Sequence, residues 1–378
     1  MANFYSFTTV RRGLAVLLVA ALSACASGPD QPKPADLGAN PALLGVRSVW
    51  RAQIAPVHFP LQVKVVGNNV VLADSDGTVL SFDAASGAPL WRTQVGAPIA
   101  AGVGSDGRFA AVVTRDNELV VLDAGQVVWR SRLTAQVFAA PLVAGERIFV
   151  LGADRSVAAF DAKTGRKLWQ QQRPGEALVL RQSGILMAID NTLVAGLSGQ
   201  LVGMNPLNGT TLWDVPVAQT RGTNDIERLV DLVGGVSRQA NEVCVRAFQT
   251  AVACVDTLRA RVTWKRAADG AVGVQGDDSQ LYGVESDGRV LAWRRTDGEP
   301  VWRSDRLRYR ALSAPLALGR SVVLGDATGW LHFLSRADGT PLAQMATDGS
   351  AIVATPVVAD NTLVVVTSQG GVYGFQPE

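Results

Sequence analysis

The stretch RSVAAFDAKTGRKLW, Arg155 to Trp169, decides the fold because GTVLSFDAASGAPLW, Gly77 to Trp91, says nearly the same thing. Each reads as a β run ending in Asp, a turn closed by Gly, and a second β run carrying Trp. Aligned on the Trp, the register recurs at Trp50, Trp91, Trp129, Trp169, Trp213, Trp264 and Trp302. An eighth register, Asp338-Gly339-Thr340-Pro341-Leu342-Ala343, holds Ala in place of Trp. A period of about forty residues marks a unit that buries its apolar face only by stacking on its neighbours.

Several units open on a Pro before an apolar run, as in Ala140-Pro141-Leu142-Val143, Ala314-Pro315-Leu316-Ala317 and Thr355-Pro356-Val357-Val358, though the pattern is degraded in others. Pro is tolerated at a strand's start, where its missing donor matters little. A turn, a β-rich run and a second turn follow, then the Asp–Gly–Trp segment. That makes four short antiparallel strands per unit, the pattern of a propeller blade. The expected fold is all-β, an eight-bladed β-propeller over residues 41–378. Gly admits positive φ in the last turn, and Asp accepts from its backbone donors. The Trp is expected to cover the next blade; a row of carbohydrate or cofactor platforms is the competing reading. The last unit stops after Gly371-Val372-Tyr373-Gly374-Phe375, without a Trp strand. Val46-Arg47-Ser48-Val49-Trp50-Arg51 supplies one at the other end, so the N-terminal strand completes the last blade and removes an open edge.

Composition agrees. Of 378 residues, 48% are hydrophobic and 18% charged, enough for a large core. A net charge of +2 leaves no electrostatic footprint for nucleic acid. Residues 1–24 read as a signal peptide: Arg11-Arg12, then an apolar run from Gly13 to Leu22, too short to span a bilayer unaided. Leu22-Ser23-Ala24-Cys25 resembles the lipobox of bacterial lipoproteins. That resemblance implies lipidation at Cys25, and Ala at position 26 implies sorting to the outer membrane. Residues 25–40, rich in Pro, Gly, Ser and Ala, read as a flexible tether. Cys244 and Cys254 sit in alternating apolar runs around a turn near Phe248-Gln249-Thr250. A cross-strand disulfide and two buried thiols both remain open.

The unit Gly-x-Val/Leu-x-x-Phe/Leu-Asp-x-x-Thr/Ser-Gly-x-x-x-Trp is similar to the repeat of quinoprotein alcohol dehydrogenases. Eight such units behind a lipobox resemble more closely the propeller lipoproteins of the outer-membrane β-barrel assembly machinery. The first resemblance implies a calcium–quinone enzyme with adjacent cysteines; here no two cysteines adjoin. Only two His occur, His58 and His332, and many acids sit in turns such as Asp74-Ser75-Asp76-Gly77. No Ser-His-Asp set, zinc spacing or phosphate loop appears. No enzymatic activity, cofactor or metal is therefore expected. The second resemblance implies a scaffold on the periplasmic face of the outer membrane, docked on the barrel-forming subunit. Unfolded outer-membrane proteins are its further candidate partners, through strand addition. Within that family a Leu-x-Leu-Arg stretch and acids from the next blade's loop make the contact. Leu178, Leu180, Arg181 and Asp231 match; Val233 stands where a second acid is expected. The long step from Trp213 to Trp264 adds an insertion over Ala218–Gly235, and long loops on rigid scaffolds concentrate binding residues. A quinoprotein-like dehydrogenase, a cell-wall glycan binder and a generic scaffold with another partner are the alternatives. Quinone or calcium dependence would mark the first, and binding to isolated peptidoglycan the second.

Overall fold

In the computed structural model, residues 32–174, 179–219 and 230–378 are described. The leader, Cys25, Leu178 and residues 220–229 of the insertion lie outside them. The described residues form thirty-two strands and no helix. The strands make eight four-stranded sheets. Seven follow chain order from the inner to the outer strand: blade 1 (64–94), blade 2 (99–132), blade 3 (142–172), blade 4 (186–216), blade 5 (232–267), blade 6 (275–304) and blade 7 (316–346). Blade 8 takes three strands from 357–377, and Val46–Gln53 pairs with Gly371–Pro377 as its fourth. The ring is closed by the two ends of the chain, as the sequence pattern required.

The core is a circle of apolar seams, one between each pair of neighbouring blades. Ile148 and Phe160 of blade 3 pack with Val113 and Val121 of blade 2, and Phe149 and Val157 with Leu193 and Val202 of blade 4. Middle strands are buried on both faces, Val112 and Val120 to zero exposure. Outer strands alternate, as in Gln126–Arg132, where every second residue is exposed. That alternation is the signature of one packed and one wet face.

The repeated Trp and Gly turn out to be partners across blades. A Cβ on Gly165 of blade 3 would lie 2.7 Å from the indole of Trp129 in blade 2. The same holds for Gly87 under Trp50, Gly209 under Trp169, Gly298 under Trp264 and Gly339 under Trp302. Each of these indoles also donates to a carbonyl of the turn it covers or just after it, Trp129 Nε1 to Ala162 O at 2.7 Å and Trp302 Nε1 to Arg336 O at 2.8 Å. The Trp series is therefore packing, not a ligand platform. Gly serves twice, holding φ at 73° at Gly165 and leaving room for the ring. Asp161 completes the turn by accepting from Thr164 N at 2.8 Å. Blade 8 explains the one Ala: its third and fourth strands are joined by no turn, so Ala343 of blade 7 has none to cover.

Loops from one blade's outer strand to the next inner strand share a face with the turns between second and third strands. Backbone bonds tie the two sets together: Ser75 N to Pro56 O at 3.0 Å, Ala153 N to Gln136 O at 2.8 Å, and Ala327 N to Arg310 O at 3.1 Å. We call this the connector face.

Composition assigned residues up to 40 to a free tether; the structure ends that tether earlier. The segment from Ala35 is bonded to the ring, with Ala35 N donating to Arg308 O at 2.9 Å and Asn40 Nδ2 to Gln344 O at 3.0 Å. Leu37 is half-buried against the seam between blades 6 and 7. One apolar residue and one amide in a polar stretch suffice to dock it, which composition averages away. In blade 5, Cys244 and Cys254 face each other on adjacent strands and are joined as a disulfide. The alternative of two buried thiols is thus not the one found.

Candidate partner-docking site

The two loops singled out in the sequence meet on the connector face. One joins blades 3 and 4 and carries Val179, Leu180 and Arg181; the other enters blade 5 through Val230 and Asp231. Leu180 N donates to Asp231 Oδ2 at 2.7 Å. Phe248 N donates to Asp231 O at 3.0 Å, which fixes the acid from behind. Burial raises the Asp231 carboxyl above its ordinary value, against the lowering effects of the Leu180 amide and the Arg155 charge. Arg155 is itself buried and donates through Nε to Ser198 Oγ. Asp231 thus holds the blade 3–4 loop in place through Oδ2.

Arg181 is exposed, with its guanidinium carbon 6.0 Å from the centre of the Phe138 ring. Phe138 comes from the connector into blade 3 and was not singled out by motif. A lone aromatic in an otherwise small-residue connector was the only signal. A cation over an aromatic face is held without being neutralised, so Arg181 still presents its donors outward. Leu180 and Val179 are half-buried beside a cleft of about 60 Å³ shared with Phe138, Leu197 and Asp231. Val233 is buried and pairs with Gly184, so the position of the expected second acid is turned into the ring. Leu178 lies outside the described residues.

Among the described residues the cleft offers one exposed cation, apolar surface and a braced backbone. A central channel runs between the inner strands of the blades. It encloses about 720 Å³, lined by residues such as Val65, Val236, Gly273, Ser313 and Val357. Lys64 is its one charged lining residue among those described. A calcium-bound quinone needs carboxylate ligands, and none of the described residues lining this cavity is a carboxylate. Glu242, Cys244 and Cys254 cluster, but the sulfurs are bonded to each other and Glu242 accepts from Arg295 Nε at 2.8 Å. That set has no thiolate to give a metal.

A family described as "Outer membrane protein assembly factor BamB" matches residues 75–304. The chain belongs to the BamB family. A BamB of Burkholderia pseudomallei is 38% identical over 364 residues, covering 95% of this chain and 96% of the relative. The crystal structure of BamB from Moraxella catarrhalis superposes with a TM-score of 0.80 at 23% identity, covering 88% of this chain and 99% of that one. The quinohemoprotein alcohol dehydrogenase of Comamonas testosteroni shares the fold, with a TM-score of 0.68 at 14% identity over 90% of this chain and 78% of the enzyme. The fold is thus common to BamB proteins and quinoprotein enzymes, while overall sequence similarity places the chain with BamB.

Proposed function

We propose that this BamB-family chain is a non-enzymatic scaffold for the assembly of outer-membrane β-barrel proteins. It docks on the barrel-forming subunit through the connector face of blades 3 to 5. Leu178, Leu180 and Arg181 make the contact; Asp231 positions them. Residues 1–24 are removed, Cys25 carries lipid, and the ring stands at the periplasmic face of the outer membrane. The observation that carries the reading is Arg181, exposed on Phe138 beside a loop that Asp231 braces. Arg is a frequent interface anchor when its surroundings are preorganised. Identity of 38% to a BamB over nearly the whole chain, against 14% to a quinohemoprotein dehydrogenase of the same fold, argues against the dehydrogenase alternative.

The test is detergent-extracted co-purification of wild type and of Arg181→Glu with Leu178→Ala, with circular dichroism to check the fold. The expected result is that wild type retains the barrel-forming subunit and the folded variant loses it. Retention by the variant refutes the patch. Absence from wild type refutes the assembly reading and brings glycan binding forward.

A further inference from the structure

The docked N-terminal segment changes which face of the ring the chain enters from. It begins on the connector face, where Ala35 N donates to Arg308 O and Arg310 Nη1 donates to Ala35 O at 2.8 Å. It then follows the free edge of blade 7. Gln344 N donates to Asn40 Oδ1 at 3.1 Å, and Leu43 N donates to Leu342 O at 2.8 Å. It ends on the opposite face, where Arg320 of a first-to-second-strand turn donates to Leu43 O. The strap is held at points and not packed along its length. Between it and the ring lies a cavity of about 310 Å³ lined by Asp36, Leu37, Leu307, His332 and Gln344. Asp36 and the residues from Gly38 to Leu43 are exposed.

Two roots for the tether follow. With the strap docked, the first fixed residue is Ala35, on the face that carries Arg181. With it released, the first fixed residue is Val46, at the opposite face. At ~3.3–3.6 Å per extended residue, Cys25 reaches Ala35 across at most about 35 Å and Val46 across about 70 Å. We propose that the strap turns the connector face toward the lipid surface to which Cys25 is joined, and halves the distance the ring can stand from it. This rests on the anchor reading given above. The strap is a point-held latch, so the same contacts decide whether the docking loops face the membrane or turn away.

The experiment uses the chain from Cys25, coupled through that thiol to maleimide lipid in phosphatidylcholine vesicles. Cys244 and Cys254 are buried in their disulfide and do not compete. A donor dye is placed by an azido side chain at Asp116, exposed on the connector face, or at Leu258, exposed on the opposite face. Energy transfer to headgroup acceptors is expected to be about twofold greater from position 116. Leu37→Ser with Asn40→Ala should abolish that contrast, with faster hydrogen exchange at the Ala35 and Leu43 amides as proof of release. If the double variant fails to fold, Asn40→Ala alone, at an exposed residue, takes its place. Equal transfer from both positions in wild type overturns the proposal, as does an unchanged contrast once the amides exchange freely. Because the coupling is chemical, neither result depends on lipidation in the cell. Mass spectrometry of the membrane-extracted chain decides that separately.

Discussion

Asp231 acts on the proposed docking patch through the backbone amide it holds. Its carboxyl accepts from Leu180 N while largely buried, and burial raises it above its ordinary value of 3.8. A raised acid contributes its stability below the unfolded value and loses it as pH rises through the folded value. At neutral pH the charge is thus a burden on the fold, while the hydrogen bond is an asset. Asp231→Asn keeps an acceptor for Leu180 and removes the charge. The variant should gain stability over wild type between pH 3.5 and pH 7, read as a rising difference in urea midpoints. A variant that instead loses ground at pH 7 shows that the charge is used, through Arg155 or otherwise. Partner retention by folded Asp231→Asn separates positioning from contact, since a positioning residue tolerates the amide.

At the scale of the element, the turn before each outer strand is the unit that sequence reads best. Gly165→Ala must hold φ near 73° and push a methyl into Trp129, so it should cost about 2 kcal/mol or more. Blade 5 carries the converse case: Ala260 occupies the Gly position at φ 49°, packed in the seam that includes Trp213. Ala260→Gly relieves a left-handed Ala and should stabilise by about 0.5 to 1 kcal/mol in thermal or urea unfolding. Polar contacts between blades were less legible, because they join residues far apart in the chain. Asp277 of blade 6 is one, accepting from Arg336 of blade 7 and from Ser279 and Gln280. Burial would raise it, but those donors hold it down to about 2. A depressed acid gives stability above its unfolded value of 3.8 and loses it as pH falls to about 2. Asp277 is partly exposed, so Asp277→Asn should cost only about 1 kcal/mol at pH 7. That difference should shrink steadily as pH falls from about 4 to about 2 in acid unfolding curves; a constant difference would assign the effect to packing.

For the whole molecule, periodicity made the ring and its closure readable before any coordinates, because every blade junction poses the same problem. What the repeat cannot report is what departs from it: Phe138 under Arg181, the strap from Ala35, and the inward turn of Val233. These are single residues in connectors, with no register to average over. The closure is where local and global stability meet. Val46–Gln53 covers the edge of Gly371–Pro377, and Trp50 covers Gly87 of blade 1 while donating to Ala84 O at 2.8 Å. A chain beginning at Gly45 loses only the point-held strap and should keep a single cooperative urea transition near that of the full chain. A chain beginning at Ile54 loses the fourth strand of blade 8 and the indole that seals blade 1. It exposes an unpaired strand edge, the feature that drives association of β proteins. It should elute as oligomers in size-exclusion chromatography and unfold over a broader range. A monomeric, cooperative Ile54 chain would mean that seven blades and a partial eighth suffice, and that closure by the chain ends is not what holds the ring.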